Sequence, residues 1–209
     1  SSILSRLSRN NSFTHKRHHS EPVYEYHPLL REFLISRAKE IFSPEVISDF
    51  IRRASTLLEE AGETEAAAEF YSGLKDWEGL TSLVLKQAPN LVSQGRSGTL
   101  EECLNRFPKG MMEKVPWLIY WKGVCRLPYN PSEARTKFEE AFHLFEARED
   151  DTGTCLACCG IMDCLYYEWD DFTRLDRWID WLDKRMQYNS SFHSSQIEVR
   201  VATGMAGAL

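Results

Sequence analysis

Three short stretches carry residue types able to do chemistry. In "VYEYHPLLREFL", residues 23–34, His27 directly precedes Pro28 at the expected start of a helix. Backbone N–H groups and the helix dipole favour an anion at such a place, and an adjacent imidazole can donate one more hydrogen bond to a phosphate. The competing assignment is a histidine that caps the helix or packs at its base. In "HKRHH", Lys16, Arg17, His18 and His19 form a basic cluster suited to nucleic-acid phosphates, or to a solvated or interdomain hairpin. In "CLACCGIMDC", Cys155 and Cys158 have the CxxC spacing of zinc and redox motifs. A structural zinc site needs four ligands, usually as two such pairs, and the chain has no second CxxC. A helical reading instead puts Cys155 and Cys159 on one face as small packing residues, with Cys158 and Cys164 elsewhere.

Catalytic patterns are missing from the sequence. There is no GxxxxGK[ST] phosphate loop, GxSxG, HExxH or GxGxxG, and acidic pairs such as Glu139-Glu140 and Asp170-Asp171 suit exposed helix faces or turns. No enzymatic activity and no metal are expected. Large aromatic rings gather in two regions: Trp117, Tyr120 and Trp121, then Tyr166, Tyr167, Trp169, Trp178 and Trp181. Rings on stacked helices can line a ligand or partner surface, for which Trp117, Tyr120, Trp121, Tyr166 and Trp169 are the candidates, or they can fill the core.

The elements that must position these residues follow from composition and pattern. The chain has 209 residues, 43% hydrophobic, with a net charge of -6. That length supports a sizeable core, and the acidic balance argues against a generally nucleic-acid-binding surface. No run reaches the roughly 20 apolar residues of a membrane span and the first residues lack a signal-peptide core, so a cytoplasmic protein with reduced cysteines is expected. The absence of an initiating residue at Ser1 and the end at "VATGMAGAL" suggest a piece of something larger. A helix is expected to end over residues 3–9, and two extended runs then flank the turn signal "HSEP". Pro28 suits the first turn of the next helix, with Leu29, Leu30, Phe33, Leu34 and Ala38 as its apolar stripe. Helix, hairpin and helix are the components of a winged-helix subdomain.

From Ser43 onward the pattern predicts eight short helices joined by connections of a few residues. The first has Ser43 as N-cap, Pro44 at the first position and Gly62 as its stop. Ala66, Phe70 and Gly73 have a small-x3-aromatic-x2-small spacing, and Ala134, Phe138 and Ala141 repeat it two tetratricopeptide periods further on. Leu100, Leu104 and Phe107 hold the phase between, and Glu168, Phe172 and Leu175 the one after. The expected architecture is therefore all-α, with tetratricopeptide-like helical hairpin repeats forming an α-superhelix (residues 43–209) behind a partial winged-helix subdomain with a β-hairpin (residues 1–42). Gly123 falls one residue out of phase with the packing position of its helix.

"YEYHPLLREF", "EEAGETEAAAEFYSGLKDWEGLTSLV" and "WLIYWKGVCRL" through "EAFHLFEA" together resemble the MalT-type, LuxR-family branch of the STAND ATPase transcriptional regulators, over most of the chain. His27-Pro28-Leu29-Leu30-Arg31-Glu32 also resembles the Met-His-Asp motif of related switch ATPases, whose histidine faces the phosphates of ADP; Tyr26 stands where that motif has Met and Pro28 where it has Asp. The resemblance implies a sensor fragment that binds a small-molecule inducer or a regulatory protein. It also implies ATP or ADP and a nucleotide-binding domain upstream in the same chain, with His27 sensing phosphate. DNA would be contacted only through a further domain, and no membrane is involved. Two other readings stand beside it: a helical-repeat interaction scaffold without a nucleotide switch, and a DNA-binding winged helix with a helical dimerisation domain.

Overall fold

The computed structural model describes residue 6, residues 14–18, 22–168 and 173–188, and residues 200 and 202. The helix expected over residues 3–9 lies outside these except for Arg6, which is helical, and so do Trp169 and Phe172. The chain divides into two compact units, Ser1–Leu57 and Leu58–Leu209. The sequence reading divides it after residue 42, whereas this division lies inside a helix that has no stop signal until Gly62.

The first unit contains strands β1 (Thr14–His18) and β2 (Pro22–Tyr26), antiparallel and paired from Thr14 with Tyr26 to His18 with Pro22. The expected hairpin is present. Helix α1 (Pro28–Ile41) starts at its proline, and α2 (Pro44–Glu60) at the next. The apolar stripe of α1 forms but is not buried: only Leu30 and Ala38 are half-covered, while Leu29, Phe33 and Leu34 face solvent. On α2, Ile47, Ile51 and Ala54 are half-buried and Ser55 is fully buried, its hydroxyl donating to the Ile51 carbonyl at 2.9 Å.

The second unit contains α3 (Thr64–Gly73), α4 (Trp77–Ser93), α5 (Ser97–Asn105), the single turn α6 (Lys109–Met112), α7 (Pro116–Arg126), α8 (Pro131–Glu146), α9 (Asp151–Glu168) and α10 (Thr173–Tyr188). Three starts carry side-chain caps: Asp76, Asn130 and Asp150 accept from the N–H groups of Gly79, Glu133 and Gly153 at 2.9 to 3.1 Å. Four ends share one form. The N–H of Glu63, Asp76, Arg96 and Asp150 each reaches back five positions to a helix carbonyl, with a left-handed residue just before it: Gly62, Lys75, Gly95 and Glu149.

Each helix from α3 packs on its neighbour, α6 apart, and α3 also meets α5, α4 meets α7 and α7 meets α9. Contact with the next helix and the next but one is what stacked helical hairpins produce, so this unit is a helical repeat. Helix starts recur at Thr64, Ser97 and Pro131, the first step one position shorter than the second. The buried positions follow the same steps: Ala67, Leu100 and Ala134, then Tyr71, Leu104 and Phe138. The first repeat is therefore shifted by one from the sequence reading. Ala66 and Phe70 are only half-buried and Gly73 is exposed, because that shorter first step moves the packing positions on to Ala67 and Tyr71.

Polar contacts mark the period as well. Thr99 donates to Glu65 at 2.9 Å, Arg148 to the Lys114 carbonyl at 2.9 Å, and Arg185 pairs with Asp151, each pair 34 positions apart in the chain.

The closest approaches involve glycine. Phe138 of α8 lies between Gly123 of α7 and Gly160 of α9; a Cβ on Gly123 would meet its ring at 2.9 Å, and one on Gly160 at 2.7 Å. Gly123 thus receives the aromatic ring despite its offset in the sequence. Helix α9 is apolar on nearly every side and accordingly is buried among α7, α8 and α10.

Candidate functional site

His27 is the N-cap of α1. The Leu29 N–H donates to its Nδ1 at 3.3 Å, and the Arg31 N–H donates to its carbonyl at 3.0 Å. An Nδ1 that accepts leaves Nε2 as the ring's donor. The first turn of α1 carries no acidic residue of its own. The capping assignment is therefore realised in this structure. The ring is half-exposed at this end of the helix, where backbone N–H groups and the helix dipole favour an anion.

Lys16, Arg17 and His18 lie on β1, and His19 lies outside the described residues.

The aromatic candidates separate by position. Tyr120 is a core residue, 8% exposed, with its ring against Trp117, Trp121 and Phe138 at 5.3 to 5.5 Å. Burial holds its hydroxyl up, at about 12. It does not form part of a ligand surface, because the α7–α8 contact encloses it. Trp117 and Trp121 are half-buried, Trp117 edge-on to Phe145 at 4.8 Å and Trp121 bridging the two core clusters. Tyr166 is exposed and meets Tyr167 edge-on. Trp169 lies outside the described residues.

A cleft of about 540 Å³ that the sequence reading does not single out lies in the second unit, lined by Glu146, Glu149, Asp151, Thr154, Trp181 and Arg185. Its components come from the end of α8, the turn after it, the start of α9 and the middle of α10. Trp181 and Arg185 are four positions apart on α10, so they share a face, and Asp151 is one repeat period before Arg185. That period was the signal available in the sequence. It was not usable without knowing that α9 and α10 pair.

All six cysteines are buried and unpaired. Loss of water holds the thiols of Cys103 and Cys155 up at about 11 and those of Cys125 and Cys159 at about 12, with Cys158 and Cys164 raised further. Among the described residues, no group of three or more His, Cys, Asp or Glu could hold a metal ion, and no helix is long and apolar enough to cross a membrane. The thiolate is the reactive form, so none of these thiols should react with a disulfide reagent in the folded protein at pH 8. All six should react after unfolding in urea. Fast modification of even one thiol in the native state, followed by absorbance, would contradict the packing described.

The family model described as the MalT winged helix domain matches residues 1–46, so that part of the chain is similar to a MalT-type winged helix. No curated protein and no solved structure matches the chain.

Proposed function

We propose that this chain, similar to a MalT winged helix over residues 1–46, is the junction of a signal-transducing transcriptional regulator: winged-helix switch first, tetratricopeptide-like sensor behind it. The observation that supports this most is the order of parts. A winged-helix match ends at residue 46, and a helical repeat whose helix starts recur at Thr64, Ser97 and Pro131 follows. In this reading the repeats bind an inducer or a regulatory protein, and binding shifts a STAND-type, LuxR-family regulator between ADP-bound and ATP-bound states. Such a shift requires a ligand with different affinity for the two states. DNA contact and nucleotide binding reside outside this chain, and the protein works in the cytoplasm.

We place the inducer at the cleft beside Trp181, a concave site of ordinary ligand size with an aromatic wall and several charged groups. His27 is assigned to the ADP phosphates through Nε2. The test is ADP retention by the regulator that carries this chain behind a nucleotide-binding domain, measured after gel filtration. His27→Ala should release ADP that the wild type keeps, and His27→Gln, able to donate one hydrogen bond, should retain part. Equal retention in all three proteins would remove His27 from the switch.

A further inference from the structure

Exposed apolar side chains gather in one place. Among the described residues, thirteen large hydrophobic side chains are exposed to 40% or more, and ten of them lie between Tyr26 and Leu57, in the first unit. On α1, Leu29, Leu30, Phe33, Leu34 and Ile41 fall within one arc of the helix, and none is buried. On α2, Val46, Phe50 and Leu57 fall in a line, and Phe50 meets Phe42 edge-on at 5.6 Å, so the apolar surface runs without a break from one helix to the next. Side chains of roughly 200 Å² each, left 40–68% exposed, present on the order of 1,000 Å². A monomer's largest apolar patch is about 300–600 Å², and one partner's share of a stable interface is about 800 Å².

We propose that this face is a homodimer interface in which α1 packs antiparallel against α1 of a second copy of the chain. Charge placement selects that occupant. Glu32 and Lys39 are one heptad apart on the same flank of the apolar arc, and neither has an ion-pair partner among the described residues. In an antiparallel pair centred between Ile35 and Ser36, each Glu32 meets the Lys39 of the other copy, and each Leu30 lies opposite the other Ile41. Residues on the same flank meet across antiparallel helices, so both ion pairs form at once by symmetry. The two polar residues inside the arc, Arg37 and Glu40, already pair with each other at 2.6 Å. This inference needs no nucleotide and stands apart from the reading of His27.

Sedimentation equilibrium of the 209-residue chain, from low to high micromolar concentration, tests it. A reversible monomer–dimer equilibrium is expected. Glu32→Lys and Lys39→Glu should each weaken it by about tenfold through like-charge contacts, and the double exchange should restore it. Phe33→Asp should leave monomer only, with helix content unchanged because Phe33 is exposed. A chain that stays monomeric throughout, or whose association ignores the single exchanges, overturns the proposal; so does a double exchange that fails to restore it.

Discussion

Gly160→Ala is expected to destabilise the repeat unit by about 3 kcal/mol, at the upper end of the cost of overpacking a core. The new Cβ would stand 2.7 Å from the Phe138 ring, and that ring is itself held from the other side by Gly123. Neither neighbour can yield. Phe138 is fully buried, and moving its ring would reopen the contacts that join α7, α8 and α9. The effect is large against the roughly 5–15 kcal/mol by which a domain is stable. Gly98→Ala is the control: nothing lies within 4 Å of its Cβ, so alanine there should leave stability unchanged or raise it by up to about 1 kcal/mol. Phe138→Leu should recover part of the loss in Gly160→Ala, a coupling expected of residues in contact. Urea unfolding followed by circular dichroism measures all of these. A midpoint for Gly160→Ala equal to that of Gly98→Ala would show that α8 and α9 are not in the contact described.

Arg200→Ala should cost about 1–2 kcal/mol at pH 7, and the cost should shrink as the pH falls. Arg200 pairs with Asp163 of α9, both about two-thirds covered. Burial holds the Asp163 carboxyl above its ordinary value, and Arg200 offsets this in part. The nearby Tyr120 and Cys159 are held at about 12 and stay protonated, so the carboxylate is the group that titrates. A carboxyl whose folded value is raised penalises the native state above that value and relieves it as pH falls through it. Removing the guanidinium raises it further, so the variant should regain stability on acidification toward pH 5, relative to wild type. Asp163→Asn in the Arg200→Ala background should remove that dependence. A variant whose deficit is the same at both pH values would mean that Asp163 is not paired as described.

How much of this was legible in the sequence depended on whether the signal was local. Caps, prolines and terminal glycines are local, so the hairpin, the start of α1 at Pro28 and the run of helices behind it were read correctly. The register of the first repeat was not. Ala66-Phe70 and Ala67-Tyr71 both offer a small residue four before an aromatic, and only the packing of Tyr71 against α4 decides between them. Tyr120 stood between surface and core for a related reason, since a ring on α7 faces core or solvent according to a helical phase the sequence leaves open. The exposure of α1 was also beyond reach, because an apolar stripe in a sequence shows that a face is sticky and says nothing of what covers it. The Trp181 cleft required knowing that α9 and α10 pair.

The most direct test of the central claim is binding in trans between the 209-residue chain and the nucleotide-binding domain of the same regulator, loaded with ADP or with ATP and followed by calorimetry. A switch that listens to these repeats requires different affinities in the two states, and a tenfold preference for the ADP-loaded domain, about 1.4 kcal/mol, is the expected result. Equal affinity for the two loaded forms, or no binding to either, would contradict the account.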